Sequence, residues 1–311
     1  MRIFFCTLRL TAVAAMVLVL AHRASASAVC IVMSNESAQY NETVEGFKKQ
    51  LTQQGFAAET QIHILSRDGS LPQDIARSVG QAKPAYLLVL GSPAAQLAVQ
   101  GHFGIPMIAG LVFSGADLAG MVNTTGVYLD VSVEVQLSLI KRLFPKARRV
   151  GVLYSMENGK KIAEASKIAP KYGLELEAQE AYAPKDIPPA LESAGKKADV
   201  LWGLMDKVVL TPETAKQILL FSMRNEVPFI GPSENWAKAG AAAAITWNFE
   251  DLGVQCAEIL LKLHKGAKVA EVGPVGPRKI EYALNLKAAD QLKIEFGPDI
   301  VNGSKRVFKG E

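Results

Sequence analysis

The 311-residue sequence predicts an α/β protein with two lobes, each containing a doubly wound parallel sheet. Short apolar runs of strand length alternate with amphipathic helical segments, an order typical of parallel sheets with right-handed crossovers. The same alternation starts again after Val150, so two units of similar layout follow one another. A chain of this length also exceeds what one compact core usually holds. We therefore expect two domains joined by chain crossings.

The first unit contains four predicted strands. They cover residues 30–34, 58–65, 85–90 and 105–112, with predicted helices at 42–55, 72–81 and from Gly91 through 99. The run 85–90 is continuously apolar, which is typical of a strand buried on both faces of a parallel sheet. Gly91, Ser92 and Pro93 break this strand and open the next helix.

A passage then leads into the second unit. A strand-like crossing at 126–129 precedes an amphipathic helix at 132–144, a stop at Pro145 and a buried strand at 149–154. The pattern continues with strands at 175–181, 200–204, 228–231 and 241–247 and helices at 159–172, 187–195 and 212–225. Thr211 and Pro212 provide an N-cap and a first-turn proline for the last of these helices. The tail predicts a helix at 249–265, a linker at 273–277, a strand at 279–286 and a helix at 287–292.

The first 28 residues have the pattern of an export signal. Arg2 and Arg9 form a basic segment, residues 10–21 an apolar one, and the small residues 24–28 offer cleavage sites after Ala26 or Ala28. The alternative is lipid attachment at Cys30, but the residues before it lack the usual lipobox pattern. We expect a periplasmic protein with a cleaved signal peptide.

Composition argues against nucleic acid as a partner. The formal net charge is +4, and signal cleavage removes Arg2, Arg9 and Arg23, which leaves +1. The remaining cations are interspersed with acids, whereas phosphate binding needs a basic stripe. Cys30 and Cys256 remain in the mature chain, either as a disulfide or as two buried thiols, and the latter is favoured.

The segment from 123 to 154 closely resembles the lobe-to-lobe passage of substrate-binding proteins of ABC importers, of the tryptophan/tyrosine type. The similarity lies in a TGV crossing, a helix ending in FP and a VGVLY strand. The turn GSPAAQ and the closing string IEYALNLKAA also resemble this family. The resemblance implies the periplasmic binding protein type I fold, several crossing strands, and an ABC permease as partner. The implied lobes are residues 29–129 plus 248–277 and residues 130–247 plus 278–311, with the ligand held between them.

The candidate ligand residues of the first lobe follow the carboxyl ends of its strands, where doubly wound sheets bind ligands. The turn at Gly91, Ser92, Pro93 and Ala94 offers backbone N–H groups, a helix N-terminus and a hydroxyl, all suited to a carboxylate. The alternative is an ordinary turn with Ser92 as N-cap, and resemblance to the family's turn favours ligand binding. Further candidates at this sheet edge and at the first crossing are Ser34, Tyr40, Phe113, Ser114, Tyr128 and Asp130. Tyr40 or Phe113 is suited to stacking on an aromatic ligand, or to ordinary core packing.

The corresponding turns of the second lobe supply another set of candidates. They contain Tyr154, Met205, Asp206, Ser233 and Glu234, together with Glu157. An ammonium group needs an ionised carboxylate, which Asp206, Glu234 or Glu157 would provide. Lys207 beside Asp206 departs from the family pattern and suggests a surface ion pair instead. Trp247 and Asn248 fall where the family often has aromatic residues, and the alternative for Trp247 is hinge packing.

The sequence predicts no enzyme, no catalytic residue, no cofactor and no metal site. It contains no nucleophile elbow, P-loop, HExxH or GxGxxG pattern, and the mature histidines lack metal-ligand spacing. We expect a monomeric solute-binding protein that captures an amino acid, aromatic or other, or a related solute, and closes around it. The alternative is a ligand-dependent sensory partner of a membrane receptor or kinase, which gene neighbourhood would distinguish; an exported hydrolase ranks third.

Overall fold

The computed structural model describes residues 27–65 and 73–309, which form two compact units. Unit 1 contains the described residues up to Val112, then Ala116–Val127 and Gly253–Pro274. Unit 2 contains Phe113–Gly115, Tyr128–Leu252 and the described residues from Val275 onward. The predicted signal peptide lies outside the described residues except for Ser27 and Ala28, which belong to the first strand.

Unit 1 is built on a five-stranded sheet. Its strands are β1 (Ser27–Met33), β2 (Ala58–Ile64), β3 (Tyr86–Leu90), β4 (Met107–Val112) and β5 (Thr124–Tyr128), in the order β2-β1-β3-β4-β5. Its helices are α1 (Ala38–Gln53), α2 (Gln73–Ala82), α3 (Ser92–Gln100) and α4 (Gly115–Ala119). The pairings β1–β2, β1–β3 and β3–β4 are all parallel. Every residue of β3 and β4 is buried, as expected for parallel strands covered on both faces.

Unit 2 is built on a seven-stranded sheet in the order β12-β11-β10-β9-β8-β6-β7. Its strands are β6 (Arg149–Tyr154), β7 (Glu175–Glu180), β8 (Val200–Trp202), β9 (Phe229–Gly231), β10 (Ala243–Trp247), β11 (Ile280–Asn285) and β12 (Arg306–Phe308). The α-helices along this part of the chain are α5 (Val133–Leu143), α6 (Gly159–Ile168), α7 (Ile187–Ala194), α8 (Pro212–Arg224), α9 (Glu234–Ala239), α10 (Phe249–His264), α11 (Val269–Val272), α12 (Leu286–Gln291) and α13 (Pro298–Asn302). Helix α10 begins in unit 2 and continues into unit 1, and α11 lies in unit 1.

The α/β fold class predicted from the sequence is confirmed, with one difference in strand direction. Strands β6 to β10 pair in parallel, whereas β11 runs antiparallel to β10, so the sheet of unit 2 is mixed. The chain leaves this sheet after β10, passes through α10 and α11, and returns to the same edge as β11. An antiparallel return strand is common at the margin of such sheets.

Local signals explain where several helices begin and end. Thr211 is the N-cap of α8, and its hydroxyl accepts from Thr214 N at 3.3 Å. Ser132 caps α5 in the same way. The helix predicted at 159–172 stops being α-helical at Ile168, because Pro170 brings a 3₁₀ turn that ends at Gly173 with φ +64°. The short elements α4, α9, α11, α13 and β12 were not predicted.

Hydrogen bonds tie the three chain crossings to one another within unit 2. Trp247 Nε1 donates to Leu129 O at 2.9 Å, and Tyr128 N donates to Val275 O at 3.0 Å. The boundaries between the units fall after Val112, Gly115, Val127, Leu252 and Pro274. The sequence predicted boundaries at 129, 247 and 277, because its pattern does not show these hydrogen bonds.

The two buried cysteines lie on opposite faces of the unit 1 sheet. Cys30 pairs in register with Leu87, and Leu87 with Met107. A Cβ added at Gly110, three residues after Met107, would lie 3.2 Å from Cys256 Sγ. Because side chains alternate along a strand, Gly110 faces away from the side that carries Cys30. Both thiols are free, and burial raises the pKa of Cys30 to about 11 and that of Cys256 to about 12.

Among the described residues, no helix is both long enough and apolar enough to cross a membrane.

Candidate functional site

The turn after β3 joins three of the predicted ligand residues of unit 1. Gly91 has φ +88° and is the N-cap of α3, so Ser92 is the first helical residue and not the cap. A Cβ at Gly91 would lie 2.4 Å from Tyr40 Oη and 2.5 Å from Ser34 Oγ. Only glycine therefore fits, both for its backbone angle and for its close neighbours.

Ser34 holds this turn in place through its hydroxyl group. Its Oγ donates to Leu90 O at 2.9 Å and accepts from Ala94 N at 3.0 Å. Gly91 N donates to Gly110 O at 2.8 Å, and Pro93 has no N–H group. The sequence predicted several free backbone N–H groups here, whereas the fold itself uses those of Gly91 and Ala94. Any ligand contact of the turn is thereby concentrated at Ser92.

The Ser92 hydroxyl is the most informative atom of the turn. Its Oγ is buried and has no hydrogen-bond partner among the described residues. Buried polar groups in proteins are almost always paired, and leaving one unpaired costs about 1–3 kcal/mol. Ser92 also opens α3, where the helix dipole favours negative charge. The turn therefore offers an unpaired donor at a helix N-terminus.

Tyr40 places an aromatic ring and a hydroxyl at the same turn. Burial raises the pKa of the Tyr40 phenol, and hydrogen bonds with Ser34 and Asn35 act in the opposite direction. The phenol is therefore neutral at physiological pH, and it is the donor in its hydrogen bond with Ser34, whose own proton goes to Leu90 O. The structure thus brings together Ser34, Tyr40, Gly91, Ser92 and Ala94.

The loop after β4 contains a second aromatic candidate. Phe113 is exposed over 56% of its surface, whereas the neighbouring Ser114 is half-buried. Leu111, just before this loop, has φ +57°, an unfavourable angle for a leucine that redirects the chain. Phe113 is therefore available for contact with a solute.

Tyr128 is held within the crossing segments. A Cβ at Gly115 would lie 3.0 Å from its ring, and one at Gly276 would lie 3.2 Å from the other edge. These two glycines leave room for the ring where a larger residue would not. Of the two sequence interpretations of Tyr128, hinge or pocket, the packing favours the hinge.

Asp206 organises a turn of unit 2. Its Oδ2 accepts from Ser155 N at 2.7 Å, Ser155 Oγ at 2.9 Å and Asn158 Nδ2 at 2.8 Å. Its Oδ1 accepts from Val208 N and Val209 N, both at 2.9 Å. These five donors outnumber the roughly four lone-pair sites of a carboxylate, so the acceptor capacity of Asp206 is used.

The environment keeps this carboxylate charged. Burial acts to raise the pKa of Asp206, but the hydrogen bonds outweigh burial and hold the pKa below its ordinary value of 3.8. The alternative of an ion pair between Asp206 and Lys207 is wrong, because Lys207 N donates to Glu157 Oε1 at 3.0 Å instead. We therefore assign Asp206 to the turn and do not assign it to a ligand.

The other carboxylates suggested by the sequence also have partners within unit 2. Glu234 Oε1 lies 2.9 Å from Arg306 Nη1, and Asp130 Oδ1 lies 2.7 Å from Lys161 Nζ. Glu157 Oε2 lies 3.9 Å from Lys207 Nζ. Each of these three carboxylates therefore pairs with a cation of unit 2.

Trp247 and Ser233 have structural surroundings. Trp247 is 7% exposed, donates to Leu129 O and packs against Phe249 with ring centroids 6.1 Å apart. This packing favours the hinge interpretation of Trp247. Ser233 is the N-cap of α9 but makes no capping bond through its side chain. Asn248, next to Trp247, donates to Glu281 Oε1 at 2.9 Å.

Unit 2 presents exposed apolar side chains that sequence reasoning largely missed. Met156, Tyr182 and Met205 are 81%, 74% and 43% exposed, and they follow β6, β7 and β8. These three strands are neighbours in the sheet, so the side chains share its carboxyl edge with Tyr154. Only Tyr154 and Met205 were predicted. Met156 and Tyr182 could have been found from their position in the turns that follow β6 and β7.

Two further features hold no site. An apolar gap of about 10 Å³ in the core of unit 2, lined by residues such as Trp202 and Phe229, is at most the size of one water molecule. Within residues 27–65 and 73–309, no group of three His, Cys, Asp or Glu side chains is arranged to hold a metal ion.

The fold and the turn together define the class of protein. Two units with mainly parallel sheets, each presenting loops at the carboxyl edges of its strands, form an architecture that binds small ligands at those loops. The chain belongs to the ABC transporter substrate binding protein family, whose profile matches residues 28–307. The family resemblance and the prediction that the protein is not an enzyme are confirmed.

Three similar proteins illustrate the match. A tyrosine-binding protein of Clostridioides difficile (strain R20291) is 27% identical over 280 residues, covering 83% of this chain and 79% of its own. A ligand-free, open substrate binding protein with adhesive properties from Clostridium difficile superposes with a TM-score of 0.73 and 22% identity, covering 91% and 100% of the two chains. An ABC domain in complex with L-Trp from Streptococcus pneumonia gives a TM-score of 0.60 and 20% identity, with the same coverage. At these identities, the two structures show the fold.

Proposed function

We propose that this protein is the extracytoplasmic solute-binding component of an ABC importer. Its solute would be a small organic carboxylate, either an amino acid or a related compound with an apolar or aromatic group. The family supports delivery to an ABC permease. The relatives named for tyrosine binding and for an L-Trp complex support an aromatic solute. The monomeric state and the position of the solute between the units stay predictions.

The unpaired Ser92 hydroxyl is the observation that carries this proposal. A carboxylate accepting from Ser92 would satisfy this buried group and interact favourably with the N-terminus of α3. The adjacent Tyr40 phenol stays protonated at neutral pH, so it adds no negative charge that would repel a carboxylate. The exposed ring of Phe113 is suited to packing against an apolar or aromatic group.

Of the two predicted cleavage sites, the pairing of β1 favours the one after Ala26. Strand β1 begins at Ser27, and Ser27 and Ala28 pair with Ala58 and Glu59 of β2. Cleavage after Ala28 would remove two paired residues. A lipid on Cys30 would require this residue, which is 1% exposed, to leave the sheet. We therefore favour an exported protein whose signal peptide is cleaved and whose Cys30 carries no lipid.

The test is to identify the solute directly. Mass spectrometry of small molecules released from the purified protein, followed by titration calorimetry with the compounds found, should give a carboxylate that binds in one-to-one stoichiometry. Recovery of an uncharged sugar or a cation as the tight-binding solute would contradict the proposal.

A further inference from the structure

We propose that Met156 and Met205 form an oxidation site of unit 2, at which a peroxide converts both thioethers to sulfoxides while the fold stays intact. Methionine sulfoxide reductases reverse this modification in proteins, so the site can return to its reduced form. The inference concerns unit 2 alone and does not depend on the proposed function.

The methionines of the chain differ widely in their exposure to solvent. Of the eight in the sequence, Met1 and Met16 belong to the predicted signal peptide, and the other six all lie among the described residues. Met156 and Met205 are exposed over 81% and 43% of their surface. The remaining four are buried or half-buried, namely Met33, Met107, Met121 and Met223. Because a peroxide must reach the sulfur atom to react, exposure selects the first two.

Hydrogen bonds tie together the two turns that carry the exposed methionines. Met156 begins the 3₁₀ turn after β6, and Met205 lies in the turn after β8, the strand beside β6. Asn158 Nδ2 donates to Met205 O at 3.0 Å and to Asp206 Oδ2 at 2.8 Å. Ser155, which precedes Met156, donates to the same carboxylate oxygen through its N and its Oγ. The two turns are therefore bonded to each other on both sides of Met156.

This arrangement allows oxidation without loss of structure. The hydrogen bonds of the two turns join nitrogen and oxygen atoms of Ser155, Asn158 and Asp206, which are buried. An oxygen atom added to either exposed sulfur leaves these bonds in place and needs no space in the core. Met33 and Met107 differ, because they lie in strands β1 and β4, where a polar sulfoxide would disrupt the packing.

The reaction needs only a peroxide. A lone pair of the thioether sulfur attacks one oxygen of hydrogen peroxide, so that an S–O bond forms and the O–O bond breaks. The proton on the attacked oxygen passes to the departing hydroxide, which leaves as water. The sulfur is thereby oxidised to the sulfoxide, a polar group in place of an apolar one. Part of the carboxyl edge of unit 2, the kind of edge at which α/β units bind ligands, becomes polar.

The two thiols of the mature chain are poor competitors for the peroxide. Cys30 and Cys256 are both buried, and burial raises their pKa values to about 11 and about 12. The thiolate, which is the nucleophilic form, is therefore scarce at neutral pH. The exposed thioethers should react before either cysteine.

The experiment treats the full mature protein, freed of any co-purified solute, with hydrogen peroxide at neutral pH. Peptide mass spectrometry over time should show Met156 oxidised first and Met205 second, each at least roughly threefold faster than any other methionine. The melting temperature should be unchanged when both are oxidised, and methionine sulfoxide reductases A and B should restore both thioethers. Another methionine that reacts as fast as Met205, a melting temperature that falls with the first two sulfoxides, or sulfoxides that resist both reductases would overturn the inference.

Leucine variants check which sulfur atoms react. Met156→Leu combined with Met205→Leu removes both thioethers and keeps apolar side chains of similar size, so the rapid uptake of two oxygen atoms should disappear. Met223→Leu is the matched control, because Met223 is half-buried and its loss should leave that uptake unchanged. Rapid uptake that persists in the double variant, or that is lost in the control, would contradict the assignment. Met156→Leu alone should reduce the uptake to one oxygen atom, which provides the same test if the double variant is unstable.

Discussion

Two side chains at sheet edges have opposite hydrogen-bonding states, and this difference separates binding from structure. Asp206 is saturated by five donors, whereas the buried Ser92 Oγ has no partner among the described residues. Sequence reasoning ranked both as ligand candidates, because each follows a strand. The residue type and the position in the sequence do not reveal how many donors the fold supplies. At the scale of single residues, the structure therefore adds the most information to what the sequence predicts.

Replacing Ser92 by alanine should weaken solute binding and leave the free protein intact. Loss of a hydrogen bond to a charged group costs about 1–3 kcal/mol, which is roughly a 5- to 150-fold rise in Kd. The unliganded melting temperature should stay the same or rise slightly, since an unpaired buried hydroxyl disappears. Titration calorimetry and a thermal melt measure the two effects.

Ser132→Ala is the matched control for this variant. Ser132 caps α5 by accepting from Val135 N at 3.4 Å, so its loss should cost about 1 kcal/mol of stability and leave affinity unchanged. If Ser92→Ala behaved in the same manner as this control, the turn would be structural only.

Replacing Asp206 by asparagine should destabilise the protein by roughly 3 kcal/mol, since one or two buried donors lose their acceptor. The folded-state pKa of Asp206 is lowered, so its stabilisation is complete above the unfolded pKa near 3.8 and declines as pH falls through the folded value. The difference between wild type and variant should therefore shrink below about pH 4.

Chemical denaturation at pH 7 and at pH 3 tests the pH dependence. Asp199→Asn provides the comparison, because Asp199 also accepts two backbone N–H groups but is 33% exposed. Asp199→Asn should therefore destabilise the protein less than Asp206→Asn does. An effect of Asp206→Asn that is equally large at both pH values would contradict the assigned role.

At the scale of elements, most of the strands and helices were predictable because their signals are local. The apolar runs of β3 and β4, the Thr211 cap and the Gly173 stop each lie within a few residues of the element that they define. The antiparallel direction of β11 and the mutual bonding of the crossings depend on contacts far apart in sequence. Those features could not be predicted from periodicity.

The turn between β3 and α3 should be intolerant of any side chain at Gly91. Gly91→Ala combines a positive φ with a Cβ 2.4 Å from Tyr40 Oη, so it should cost more stability than the backbone angle alone. Displacement of Tyr40 and Ser34 should also weaken solute binding. Denaturant titration and calorimetry measure both consequences.

Gly173→Ala is the matched control, because Gly173 has φ +64° and no atom within 4 Å of an added Cβ. It should lose about 1–2 kcal/mol from backbone strain, with normal affinity. Equal losses in the two variants would show that the packing of Ser34 and Tyr40 against Gly91 contributes nothing.

At the scale of the whole molecule, binding of the solute should stabilise the folded state. A ligand that binds only the folded protein adds about 2.7 kcal/mol of stability at one hundred times its Kd. The sensory alternative predicts the same stabilisation, so the genomic neighbourhood of permease or kinase genes must distinguish transport from sensing.

Calorimetric titration of wild type and Ser92→Ala with the solute recovered from the purified protein tests the central claim most directly. The claim is that Ser92 at the start of α3 receives the carboxylate of the solute. We predict one-to-one binding by wild type, a rise in Kd of roughly 5- to 150-fold in the variant, and no loss in its unliganded melting temperature. Unchanged affinity in a stable Ser92→Ala protein would contradict the claim.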